Sequence, residues 1–235
     1  MFKIKRFNAT YPSFLVAIWF TFSAIFWMPV SQTLAAPQAG SPIIKPEAIK
    51  IVALGDSLTA GFGLPPRDGF VPQLQKALRA RGHAVQLHNA GVSGDTSSGG
   101  LARLDWAVDE KTQAVIVALG ANDMLRGISP AVTRANLSAI IEKLQARGIR
   151  VLLVGMYAAP NLGGAYAARF NPIYPRLAAQ YNLVFYPFFL EGVAGNPALN
   201  LSDAIHPNAQ GIAIMVKNIL PKAEELLAQT ASAVK

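Results

Sequence analysis

The chain has 235 residues, 52% of them hydrophobic and 14% charged, with no cysteine and a formal charge of +8. That is about one domain's worth of sequence with enough apolar material for its own core, and no disulfide can staple it. Lys3, Lys5 and Arg6 supply three of the 21 basic side chains; the remaining 18 are scattered against 13 acidic ones, without runs or aromatic interleaving, a pattern that argues against nucleic-acid binding.

Residues 1–36 have the organisation of an export signal. Lys3, Lys5 and Arg6 form a basic start, residues 14–28 are uncharged and largely apolar, and residues 31–36 end in small side chains. Cleavage after Ala35 or Ala36 fits this pattern, and no cysteine follows to take a lipid. The apolar stretch also approaches the ~17–25 residues that cross a bilayer, so an uncleaved anchor is the alternative. Residues 37–48, with Pro37, Gly40, Pro42 and Pro46, read as a flexible lead-in. The domain proper is expected over 49–228, with a tail at 229–235.

Strand and helix patterns then alternate. Residues 51–54 form a short buried strand, and 70–81 a helix with Val71, Leu74 and Leu78 on one face and Gly82 as its stop. A second strand covers 85–87 and a helix lies around 101–108. Residues 114–119 are continuously apolar, as a strand buried on both faces should be. Ser129 and Pro130 read as a cap and a first-turn proline opening a helix to Arg147. A fourth strand (151–154), a helix over 165–180 interrupted near Pro172 and Pro175, a fifth strand (183–186) and a closing helix over 209–227, with a kink expected at Pro221, complete the chain. The alternation predicts an α/β fold, a three-layer α/β/α sandwich on a five-stranded, mostly parallel sheet.

Chemistry gathers where apolar runs end. Ser57 stands in Gly55-Asp56-Ser57-Leu58 after the first strand, and Asp203 and His206 stand three apart near the end of the chain. A serine hydroxyl is a poor nucleophile until a base takes its proton, and the base needs a group to orient it. Ser57 as nucleophile, His206 as base and Asp203 as orienter meet that need. Taken singly, Ser57 and Asp203 could each be helix caps, and His83 and His88 read as surface histidines. An imidazole titrates near neutrality, so one residue can both take and return the proton. Asp203 and His206 as metal ligands would lack the third protein ligand of a hydrolytic zinc site. Residues 55–63 lack the lysine and hydroxyl residue of a phosphate-binding loop. Asn89-Ala90-Gly91-Val92-Ser93-Gly94-Asp95 and Gly120-Ala121-Asn122-Asp123 each follow their own apolar run. Asp56, Asp95 and Asp123 read as loop hydrogen-bond acceptors. In an open α/β sheet ligands bind beyond the carboxyl ends of the strands, so Ser57, Gly94 and Asn122 are expected on one rim.

Together the four blocks resemble the SGNH (GDSL) hydrolase superfamily, most closely its bacterial thioesterase I, arylesterase and lysophospholipase L1 branch. The resemblance rests on residues 56–61, 93–97, 122–127 and 205–208 and extends from about 49 to 227. It implies a flavodoxin-like fold, a Ser57-His206-Asp203 triad and an oxyanion hole from the Ser57 and Gly94 N–H groups with the Asn122 amide. It also implies no cofactor and no metal. The substrate would be an acyl ester or lysolipid, with thioesters also cleaved, and the enzyme a monomer in transient contact with membrane surfaces. Met124, Leu125, Pro160 and Ile205 are expected to line the substrate site. A carbohydrate O-acetylesterase on the same scaffold, or a binding protein that has lost activity, are the competing readings.

Overall fold

The computed structural model describes residues 12–15, 17 and 47–233. The export-signal reading of 1–36 and the lead-in over 37–46 therefore fall outside the described residues, except at 12–15 and 17. The chain divides into units Met1–Ile44 and Lys45–Lys235, and every element below belongs to the second.

Five strands, β1 (Ile49–Gly55), β2 (Val85–Gly91), β3 (Ala114–Ala118), β4 (Arg150–Val154) and β5 (Val184–Tyr186), form one sheet in the order β2-β1-β3-β4-β5. All neighbours are parallel. This is the flavodoxin-like order, whose connections reverse direction between β1 and β3. β3 at the centre is buried along its whole length, as its unbroken apolar run requires. β2 runs four residues beyond its predicted end, because Asn89, Ala90 and Gly91 continue the register against Ala53, Leu54 and Gly55.

The helices are α1 (Ser57–Ala60), α2 (Phe70–Ala80), α3 (Ser97–Ala102), α4 (Leu104–Ala107), α5 (Ala121–Leu125), α6 (Pro130–Ala146), α7 (Gly164–Phe170), α8 (Ile173–Tyr181) and α9 (Ala209–Ala233). α2 and α9 pack together and touch the sheet on one side, while α6 is packed by α3, α7 and α8. α2 buries Phe70, Val71, Leu74 and Leu78, the face read from its periodicity.

Several expectations change. The helix placed at 101–108 is two short ones that begin earlier, since the Thr96 hydroxyl accepts the Gly99 N–H and starts α3 at Ser97. Ser129 occupies the position before α6 but makes no side-chain capping bond; its carbonyl takes the Val132 N–H instead. The 165–180 helix breaks at Asn171 and Pro172 into α7 and α8. Pro175 lies in the first turn of α8, where a backbone N–H has no helical partner to lose. α9 passes through Pro221 and continues to Ala233, so 229–233, expected as tail, is helix. Thr230 is buried there, its hydroxyl donating to the Leu226 carbonyl at 2.7 Å.

Candidate active site

The short helix α1 is seated on the sheet's carboxyl edge by two glycines. A Cβ on Gly55 would lie 2.0 Å from Thr59 Oγ1, and one on Gly91 would lie 2.3 Å from the Ala60 nitrogen. Side chains there would push α1 off the strand ends. Asp56 starts the helix, its Oδ1 accepting the Leu58 N–H at 3.1 Å. Ser57 is the first helical residue, so its own N–H has no intrahelical acceptor.

Ser57 Oγ lies 2.9 Å from His206 Nε2, and His206 Nδ1 lies 2.7 Å from Asp203 Oδ2. Asp203 Oδ1 accepts the N–H groups of both Ile205 and His206, each at 2.9 Å. These donors, first the His206 N–H, then its imidazole, then the Ile205 N–H, hold the Asp203 carboxyl down at about 2. It is therefore a carboxylate at neutral pH and only accepts, which puts the proton on Nδ1 and leaves Nε2 free to accept from the Ser57 hydroxyl. The loop is closed by the Leu201 N–H donating to the His206 carbonyl at 2.7 Å and by a bridge between Asn200 and Pro207. Ala204 inside it adopts φ +59°, a left-handed conformation costly for alanine. Phe62, from the loop after α1, lays its ring against the imidazole at 4.5 Å.

The second and third blocks reach the same edge. The Asp95 N–H donates to the Val92 carbonyl at 3.0 Å, closing a turn whose third residue, Gly94, has φ +84°. A type II turn needs such a residue, and its central amide, here the Gly94 N–H, takes no part in the closing bond. Among the described residues neither the Gly94 nor the Ser57 N–H is matched with an acceptor outside helices and strands. Asn122 is the second residue of α5, and its Nδ2 donates to Asp56 Oδ2 at 3.4 Å. One N–H of that amide remains for another acceptor.

The three flanking aspartates are structural acceptors, as their loop positions suggested. Asp56 is buried, and that burial lifts its carboxyl to about 6 despite the Leu58 N–H and the nearby His206. Asp95 pairs with Arg103 Nε at 2.5 Å. Asp123 accepts from the Ser97 N–H at 2.7 Å, from the Ser97 hydroxyl, and from Thr133 Oγ1 at 3.1 Å. His83 lies beside Glu224 at 3.3 Å, and His88 is exposed on β2; neither is hydrogen-bonded to Ser57.

The residues expected to line the substrate site divide. Leu125, Pro160 and Ile205 are exposed, whereas Met124 is buried. Consecutive positions on α5 face different ways, and Met124 turns inward, where its sulfur accepts the Ala159 N–H at 3.4 Å. Phe62, Val92 and Tyr157 are exposed apolar residues that the sequence reading did not single out. Tyr157 packs on Phe188 at 4.8 Å. Each follows a strand: Phe62 after β1, Val92 after β2, Tyr157 after β4 and Phe188 after β5. An aromatic or β-branched residue just past a strand end is the signal that would have found Val92 and Tyr157; Phe62, beyond α1, carries no such signal.

Comparison with known proteins gives a consistent picture. The profile of the GDSL-like Lipase/Acylhydrolase family matches residues 53–214. Esterase TesA of Pseudomonas aeruginosa is 40% identical over 178 residues, 75% of this chain and 89% of that protein. Thioesterase 1/protease 1/lysophospholipase L1 of Escherichia coli K12 is 36% identical over 159 residues, 67% of this chain and 75% of that protein. Among solved structures, AlinE4, an SGNH-hydrolase family esterase, superposes with a TM-score of 0.66 at 45% identity, covering 78% of this chain and 98% of its own.

Proposed function

We propose, for a chain that belongs to the GDSL-like lipase/acylhydrolase family and is a carboxylic ester hydrolase, that Ser57, His206 and Asp203 form its catalytic triad. The observation that carries this reading is the unbroken line from Ser57 Oγ through the imidazole to the Asp203 carboxylate, at 2.9 and 2.7 Å. Ser57 Oγ attacks the ester carbonyl carbon while His206 Nε2 takes its proton. The oxyanion that forms is met by the N–H groups of Ser57 and Gly94 and by the free N–H of the Asn122 amide. Collapse breaks the ester C–O bond, and the alcohol leaves with the proton from His206. Water then attacks the acyl-enzyme by the same route, releasing the acid and restoring Ser57. Asp203 fixes the tautomer throughout and stabilises the imidazolium.

The substrates we assign are aryl esters and lysophospholipids, with acyl thioesters also within reach of the same chemistry. Exposed Phe62, Tyr157 and Ile205 on loops and Leu125 at the end of α5 supply apolar surface, suited to an acyl chain rather than a charged group. The basic start, apolar run and small-residue end of residues 1–36 support export, where an ester or lysolipid is the available substrate rather than cytosolic acyl-CoA.

Turnover of a short-chain aryl ester tests the triad. Ser57→Ala or His206→Ala should lower kcat by roughly 10⁴–10⁶, and Asn122→Ala by about 10²–10³. A fluorophosphonate should label Ser57. Undiminished turnover by Ser57→Ala, or labelling of a different serine, would refute the assignment.

A further inference from the structure

We infer that Arg103 is a positioning residue for ester hydrolysis, locking the turn that presents the Gly94 N–H to the strand end that presents Ser57. Arg103 lies between α3 and α4, and its side chain is 8% exposed. Its guanidinium divides between two loops: Nε donates to Asp95 Oδ2 at 2.5 Å, and Nη2 donates to the Gly55 carbonyl at 2.9 Å. Asp95 directly follows Gly94, and Gly55 stands two residues before Ser57. One rigid planar group thus spans the second block and the first. The same Gly55 carbonyl accepts the Val92 N–H at 3.0 Å, so the turn is joined to the end of β1 both directly and through Arg103.

The surroundings are cut to fit this pair. A Cβ on Gly99 would lie 2.2 Å from Asp95 Oδ1, so only glycine leaves room for the carboxylate. Arg126 Nη2 holds the Gly94 carbonyl from the other side at 2.7 Å, but that residue is exposed, and a solvated arginine fixes a loop loosely. The buried Arg103 is the stiff tether. A buried ion pair contributes little net stability over an apolar replacement, because desolvation offsets the attraction. What this pair supplies instead is a fixed offset between a hydroxyl and an N–H that must address the same carbonyl. A displacement of about 1 Å in such a group can slow a reaction by about 10²-fold.

The inference rests on the reading of Gly94 as an oxyanion donor and Ser57 as nucleophile, and its test separates the two. Arg103→Met, Asp95→Asn, Arg103→Lys and the double variant Arg103→Met/Asp95→Asn are compared with wild type and Ser57→Ala. For each, kcat and KM are measured on an aryl ester and on its thionoester, in which sulfur replaces the carbonyl oxygen, together with the urea midpoint. Arg103→Met should lose about 10–100-fold in kcat with KM within about twofold. The loss should be smaller on the thionoester, whose larger, weakly accepting sulfur uses oxyanion donors poorly. Arg103→Lys keeps the charge without the fork and should recover only part of kcat. The double variant leaves no buried charge unpaired, so its midpoint should return toward wild type while kcat stays low; it also serves if Arg103→Met does not fold. Recovery of kcat along with stability, or equal slowing of ester and thionoester, would overturn the positioning role. A Ser57→Ala protein with full turnover would instead overturn the nucleophile reading beneath it.

Discussion

Asp203 bonds the His206 imidazole and Asp56 directly precedes Ser57, yet the two carboxyls are pushed in opposite directions, and the difference is solvent against donors. Asp203 is partly exposed and collects two backbone N–H groups and a ring N–H, so its folded value falls to about 2. Its stabilising contribution is present above the ordinary carboxylate range and is lost only as pH falls through about 2, leaving it ionised wherever the enzyme works. Asp56 is buried at the start of α1 and rises to about 6, above the 3.8 of an unperturbed aspartate. A raised carboxyl contributes stability that is full below 3.8 and lost as pH rises through about 6. The wild-type advantage over Asp56→Asn should therefore grow as pH is lowered from 7.5 to 4.5, by about 2 kcal/mol. Urea midpoints at the two pH values check this; a difference that does not change with pH would refute it. That Asp56 and Ser57 sit at a strand end was legible from the apolar run before them. The opposite environments of Asp56 and Asp203 were not, because burial of Asp56 depends on how α1 and α5, with Asn122, pack over the strand end.

Among the elements, α5 carries Asn122 into the site, and the neighbouring Asp123 decides where α5 stands. Fully buried Asp123 gathers donors from Ser97 on α3 and Thr133 on α6, tying three helices at one carboxylate. Asp123→Ala would strand those donors without water and should cost about 3–5 kcal/mol, with a smaller loss for Asp123→Asn. A denaturant melt of both variants checks this, and an alanine variant within about 0.5 kcal/mol of wild type would show the network to be dispensable. β2, at the sheet edge, is guarded similarly. Gln75 accepts the Leu87 N–H at 2.9 Å, Asn89 accepts the Gly91 N–H at 2.9 Å and Arg79 donates to the Val85 carbonyl. Side chains thus occupy groups that another strand could pair with. The long helices and apolar strands were readable from period and run length. α1 and α5, at four and five residues, are too short for any periodicity to show, and α3 begins at a cap the apolar pattern does not register.

At the scale of the whole molecule, a parallel sheet gathers every strand's carboxyl end on one edge, and the order β2-β1-β3 places Ser57 and Asn122 on either side of the reversal. Apolar Phe62, Tyr157 and Ile205 are exposed on loops, and Leu125 is exposed at the end of α5. Across p-nitrophenyl esters of increasing acyl length, kcat/KM should rise by about 1–3 kcal/mol of added transition-state binding per few buried methylenes and then fall once the chain outruns this surface. A profile steepest at acetate and falling thereafter would point to a small acyl group on a carbohydrate instead. By itself, the order of residues determined the sheet and the four blocks and put forward Ser57, His206 and Asp203 as candidates for nucleophile, base and orienting acid, because apolar runs and the residues at their ends are local in the chain. Only the tertiary structure decided that Met124 faces inward, that Phe62 lies on the imidazole, and that Arg103 bridges Asp95 to the Gly55 carbonyl. Those facts depend on which side chains meet across segments far apart in sequence, which no local preference specifies.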